Sequence, residues 1–173
     1  GLVRAQLGTD TIDRRAFLNP RAPRMVLLAV SDLGLQTLPA LRDLLQISGG
    51  SLARQAIHVG VDERATVALE QDWEQLGLSA VGIPLVVLPS EFGGGNIVGD
   101  LVNYVRGILS ADPEMTVELI IPEWTTSTTW WRWLATRSLH HLTGSRLKLA
   151  FLNQDRVTVT NHRYILPALS HVK

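Results

Sequence analysis

The sequence predicts an α/β fold: a five-stranded, mostly parallel sheet with helices on both faces. Three observations lead there. Apolar runs of strand length alternate with stretches whose apolar residues recur at helical spacing. Most of the runs lack the every-other-residue alternation of a half-exposed strand, which suits a sheet buried on both sides. The order is strand then helix throughout, as parallel strands joined by crossover helices require.

Composition narrows the class. The 173 residues fit one domain of ordinary size plus a tail. At this length folding buries roughly two-thirds of the unfolded chain's surface, so the core needs no staples. There are no cysteines, which excludes a disulfide framework and thiol chemistry. Sixteen basic residues balance sixteen acidic ones, so the chain lacks the field of a nucleic-acid binder, and nucleic acid is not an expected partner. No apolar run reaches the ~18 residues of a membrane span. The start, Gly1-Leu2-Val3, carries neither an initiator Met nor an apolar signal core. It reads as the edge of a fragment, which makes one domain of a larger protein the expectation.

Residues 1–24 are polar and basic, with Arg14-Arg15, Pro20 and Pro23, and show no sustained period. They form a linker, either a disordered tail or a docking arm. The domain is expected over 25–166, with 167–173 as a C-terminal tail. Met25–Val30 is the first strand, followed by Ser31-Asp32. Leu38, Leu41 and Leu45 then repeat at helical spacing, Pro39 suits a first helical turn, and Gly49-Gly50 ends the helix. Ala56–Val61 is the second strand. Asp62 caps a helix with the stripe Ala65, Leu69, Trp73 and Leu76, and Gly77 terminates it.

Ile83–Leu88 is the third strand, entered through Pro84. The loop Ser90–Asn96 contains Gly93-Gly94-Gly95, and a helix carrying Ile97, Leu101, Tyr104, Val105 and Ile108 follows, broken by Asp112-Pro113. Val117–Ile121 is the fourth strand, stopped by Pro122-Glu123-Trp124. Ser127 then starts a helix bearing Trp130, Trp131 and Trp133. These three cannot share one helix face, so at least one is expected at the surface or against a second chain. Gly144-Ser145 breaks that helix, and a short helix runs through Leu147 and Phe151. Arg156–Thr160 closes as the fifth strand. Its Val157-Thr158-Val159-Thr160 alternates apolar and polar, as an edge strand should, and an exposed edge is a template for pairing. A homodimer through this edge is therefore expected.

Candidate chemistry follows from the fold. Ligands of open α/β sheets bind beyond the carboxyl ends of the strands, where strand order reverses. That selects three loops: Ser31-Asp32, Ser90 to Gly95, and Pro122 to Ser127. Asp32 has two readings, an acceptor for ribose hydroxyls or a helix cap. The triple glycine lacks the Lys and Ser/Thr of a P-loop and the spacing of a dinucleotide loop, so it reads as a mobile connection. Gly144-Ser145 stands where a helix begins, so its amides suit either a phosphate or an ordinary cap. His58 sits in an apolar strand and reads as a neutral, hydrogen-bonded core residue. His140 and His141 diverge by about 100° on a helix and do not form a shared metal site. No acid, base, nucleophile or metal set converges, which places an enzyme last among the function classes.

Some of these residues carry a resemblance. Asp32 after strand one, and Leu142-Thr143-Gly144-Ser145 before a short helix and the last strand, resemble universal stress protein domains. That family has five parallel strands and often binds ATP. Its glycine pair after strand four is missing here, where Pro122-Glu123-Trp124 stands, and only the Gly144-Ser145 end of its nucleotide pattern matches. A closer likeness lies in Ala56-Ile57-His58-Val59, Pro84-Leu85-Val86-Val87-Leu88, Ile120-Ile121-Pro122-Glu123, Trp130-Trp131 and Arg146-Leu147-Lys148. These resemble the cytosolic C-terminal domain of bacterial permeases of the amino acid-polyamine-organocation superfamily, which includes the KimA-type potassium importers. The resemblance implies a universal stress protein-like sheet of order 3-2-1-4-5 and a homodimer beneath a transmembrane transporter domain of the same polypeptide. It also implies a place on the cytoplasmic face of the plasma membrane and regulation by cyclic di-AMP.

The expected site lies above strands one and four, lined by Ala29, Ser31, Asp32, Pro122 and Glu123, with Gly144 and Ser145 offering amides to a phosphate. Glu123 repels a triphosphate, so cyclic di-AMP ranks above ATP as ligand. The rival expectation is a free-standing universal stress protein binding ATP or another adenine nucleotide.

Overall fold

A computed structural model of the chain describes residues 22–34, 37–47, 52–90, 96–125 and 140–165. Among the described residues the elements run in the order β1 (Arg24–Ala29), α1 (Thr37–Gln46), β2 (Leu52–Gly60), α2 (Glu63–Gln75), β3 (Leu85–Pro89), α3 (Ile97–Ala111), β4 (Thr116–Thr125), α4 (His140–Ala150) and β5 (Val157–Ile165). The sheet has the order β3-β2-β1-β4-β5 and every pairing is parallel. The expected class and strand order are both present. The stretch beginning at Ser127 with its three tryptophans, the triple glycine, the first 21 residues and the C-terminal tail lie outside the described residues.

Strand alternation divides the sheet into two cores. On one face Val26, Leu28, Val30, Ala56 and Ile120 meet Ala40, Leu41 and Leu44 of α1 and Leu69 and Trp73 of α2. On the other, Leu27, Ile57, Val117, Leu119 and Ile121 meet Leu101, Val102, Val105 and Leu109 of α3 and Leu147 of α4. A strand buried on both faces has no polar side to show, which is why β1 reads as an unbroken apolar run. Full burial of each such side chain contributes roughly 1.5–3 kcal/mol.

Local chemistry sets the element ends. The Asp62 carboxylate accepts the Ala65 amide at 2.9 Å and caps α2. Gly77, at φ 63°, turns the chain out of that helix. The Trp73 indole donates to the Ile83 carbonyl at 2.9 Å and fastens α2 to the entry of β3. Two arginines close the turns that follow helices. Arg54 of β2 donates to the Ile47 carbonyl after α1. Arg156 donates to the Pro113 carbonyl at 2.7 Å and the Asp112 carbonyl at 3.3 Å, in the turn after α3.

Several boundaries differ from the sequence reading. In α1 the buried residues are Thr37, Ala40, Leu41 and Leu44, while Leu38 and Leu45 are 44% exposed. A small Ala and a hydroxyl-bearing Thr complete the stripe in place of two leucines. In α2, Leu69 and Trp73 are buried but Leu76 is exposed beyond the helix end. β2 begins at Leu52, four residues before Ala56, because its polar residues have partners: Arg54 on Ile47, and Gln55 accepting the Tyr104 hydroxyl at 2.8 Å.

The larger correction concerns β4. Pro122-Glu123-Trp124 does not stop it; the strand runs to Thr125, pairing with β5 down to Thr125 opposite Ile165. Amide direction explains this. The Thr116 amide donates toward β1, at the Pro23 carbonyl, and the Val117 amide donates toward β5, at the Arg156 carbonyl. Amides alternate sides along a strand, so Pro122, in phase with Thr116, lacks its N–H on the β1 side. Its partner in that register is the carbonyl of Ala29, the last residue of β1, so the proline forgoes only the final bond of the β1 ladder and leaves the β5 pairing intact.

Candidate functional site

The order of the sheet puts the reversal between β1 and β4. From β1 the chain steps to β2 on one side, while β4 and then β5 add on the other. The register pairs Leu28 with Ile120 at the end of the shared ladder. Beyond it β1 leaves the sheet and β4 continues, so a step opens between their carboxyl ends. This is the place where open α/β sheets bind ligands.

The β1 side of the step is a short turn tied by its own side chains. Ala29 is half-buried, and Ser31 and Asp32 are exposed. One Asp32 carboxylate oxygen accepts the Gly34 amide at 2.7 Å, and the other lies 3.2 Å from the Ser31 hydroxyl. The Thr37 hydroxyl donates to the Asp32 carbonyl at 2.6 Å. Asp32 is thus neither a bare ligand group nor the cap of α1. Its carboxylate closes a turn over Gly34, and its exposure leaves it open to a further donor. Gly34 and Thr37 were not singled out from the sequence, although Asp-Leu-Gly is a readable signal for such a turn.

On the β4 side Pro122 is half-buried at the strand position that faces the end of β1. Glu123 follows, in register with Arg163 of β5. The structure therefore brings Ala29, Ser31, Asp32, Pro122 and Glu123 to one end of the sheet. Gly144 and Ser145 differ from expectation. They fall inside α4, which passes through them unbroken. An amide within a helix is committed to the carbonyl four residues back, so these two do not form a helix start that offers free donors to a phosphate.

His58 also lies at this end of the sheet, buried as expected, with both ring nitrogens hydrogen-bonded. Elsewhere, burial pushes the Tyr104 phenol above its ordinary value, with the Gln55 hydrogen bond opposing. Among the described residues no group of three or more His, Cys, Asp or Glu is placed to hold a metal ion. Among them also, no helix is long and apolar enough to cross a membrane.

Residues 21–164 match the family described as the KimA potassium transporter C-terminal domain. The chain belongs to that family. The match spans every described strand but the last residue of β5, so the five-stranded sheet with its β1–β4 step is the architecture of this KimA C-terminal domain. It places the chain as a domain of a potassium transporter. A search of curated proteins finds no match.

Proposed function

We propose that this domain is the cytosolic regulatory unit of a potassium transporter and that it senses an adenine nucleotide, cyclic di-AMP before ATP, at the step between β1 and β4. The observation that carries this reading is the step itself. In a chain of the transporter-domain family, the point where strand order reverses is lined by an exposed carboxylate on a preformed turn, Asp32, and by the small apolar Ala29 and Pro122. Short apolar walls suit an adenine face, and Asp32 suits ribose hydroxyls.

The chemistry of the β4 side favours few charges. Where a nucleotide loop would present free amides to a row of phosphates, this chain has a paired strand with a proline and an acid. A triphosphate meets the Glu123 charge with little to offset it. Cyclic di-AMP carries only two phosphodiester charges. Its two-fold symmetry fits a homodimer formed along the β5 edge, where Thr158 is exposed and Val157 and Val159 pack inward. Nothing in the set of side chains at the step supplies a nucleophile with its base, so the role is binding rather than catalysis.

Potassium uptake by the intact transporter in reconstituted vesicles tests this reading. Cyclic di-AMP added on the side of this domain is expected to change the uptake rate several-fold, and Asp32→Ala is expected to blunt the response. Uptake indifferent to cyclic di-AMP in the wild type would overturn the sensing role.

A further inference from the structure

Resting on the reading that the β1–β4 step takes the nucleotide, we propose that His58 is the positioning residue of this site. It ties the exit of β1, and with it Ser31 and Asp32, to the first turn of α2. His58 is 6% exposed, near the carboxyl end of β2. Its Nδ1 lies 3.0 Å from the Val30 carbonyl and its Nε2 lies 3.0 Å from the Thr66 hydroxyl. Val30 is the last residue before the Ser31-Asp32 turn. Its amide still joins the ladder, donating to the Ile57 carbonyl at 2.9 Å. Its carbonyl accepts instead from the imidazole. A side chain thus takes over from backbone pairing where β1 leaves the sheet.

Proton counting fixes the tautomer. A carbonyl only accepts, so Nδ1 carries the hydrogen. In the neutral ring Nε2 then accepts from the Thr66 hydroxyl. That hydroxyl also lies 2.8 Å from the Asp62 carbonyl, which the Thr66 amide already satisfies at 2.9 Å. Turning the hydroxyl to the ring therefore leaves no group unpaired. Gly60 supplies the room: a Cβ there would stand 3.3 Å from the Thr66 hydroxyl oxygen and 3.4 Å from a Val87 methyl.

Hydrogen bonds from three elements hold the turn. Gly34 and Thr37 bind Asp32 from within the loop and α1, and His58 binds its base from another strand. Beside the Val30 amide bond to β2, the His58 contact adds a side-chain link that reaches on to α2. A core histidine that merely filled space would leave the turn indifferent to which ring nitrogen is kept.

Two near-isosteres separate these roles in the 173-residue chain. Asn carries its amide nitrogen near the place of Nδ1, and Gln near that of Nε2. The readouts are exchange of the Gly34 amide in ligand-free protein, divided by exchange at Leu28 to remove any global change, and affinity for cyclic di-AMP. His58→Asn is expected to leave the Gly34 ratio within about threefold of wild type. His58→Gln and His58→Phe are expected to speed it about tenfold and weaken cyclic di-AMP binding by a similar factor, the size set by one lost hydrogen bond. Equal ratios in all three variants, or a Gln variant that behaves like wild type, would overturn the positioning role. If the wild type binds no cyclic di-AMP, the nucleotide reading fails by itself, and the Gly34 ratio still decides whether His58 holds the turn.

Discussion

On the β1 side of the step the chain leaves the sheet at once and folds back over Asp32, held by Gly34, Thr37 and His58. On the β4 side it carries on, five residues past the last β1 partner, with β5 as its neighbour. The same difference runs through the two halves of the sheet. β1 and β2 have helices on both faces, whereas the polar residues Glu118, Thr158 and Thr160 mark one face of β4 and β5. Glu118 is held there by Arg24 and by the Thr160 hydroxyl at 3.3 Å. One side of the step is thus a turn closed over a carboxylate, and the other is a two-stranded extension ending at the edge strand β5.

Proline placement gives the sharpest way to break this comparison. Ile121 is buried, and its amide points toward β5, in phase with Val117. Ile121→Pro removes a ladder bond and a packed side chain together, and denaturant unfolding should show a loss above about 3 kcal/mol. Pro122→Ala, one residue on, should cost far less, within about 1 kcal/mol of wild type, because the amide it restores faces the last residue of β1 and the β5 ladder is untouched. Equal losses at both positions would mean that β4 does not extend as described.

Arg156 sharpens the comparison at the other end of β4 and β5. It gathers the carbonyls of the turn between α3 and β4, and Arg156→Ala should cost about 1.5–3 kcal/mol, the scale of hydrogen bonds from a charged donor. A loss below about 0.5 kcal/mol would show that water replaces the guanidinium without penalty.

How much of this was legible in the sequence follows the same division. β1 and the caps at Asp62 and Gly77 could be read because burial on both faces writes an apolar run, and caps use few residue types; β3, half-buried over 85–88, still shows as a run of apolar strand formers. The order 3-2-1-4-5 came from the resemblance, not from periodicity. The extension of β4 was not legible, because whether a proline breaks a strand depends on which way its missing amide points, and that is a property of neighbours. The helix through Gly144 and Ser145 was hidden for a related reason: glycine lowers helix propensity by about 1 kcal/mol without forbidding the helix. Asp32, Ala29 and Pro122 stand together at one end of the sheet because the crevice rule, from which they were chosen, depends on topology alone.

The smallest expected effect is a pH dependence within the β2–α3 contact. Burial raises the Tyr104 phenol above its ordinary value of 10.0. The folded protein therefore holds that proton more tightly than the unfolded chain does. Its contribution to stability is constant below pH 10 and falls as the pH climbs from there through the raised value. The midpoint of unfolding in Tyr104→Phe should lack this part of the alkaline decline, and identical alkaline slopes in the two proteins would remove Tyr104 from the account.

The site at the step is tested most directly by titration calorimetry of the 173-residue chain with cyclic di-AMP and with ATP, in the wild type and in Asp32→Ala. The account predicts heat of binding with cyclic di-AMP, weaker or no binding of ATP, and at least a tenfold loss of cyclic di-AMP affinity in Asp32→Ala, the scale of a lost hydrogen bond to a charged group. Tight ATP binding without a response to cyclic di-AMP, or cyclic di-AMP binding unchanged by Asp32→Ala, would contradict it.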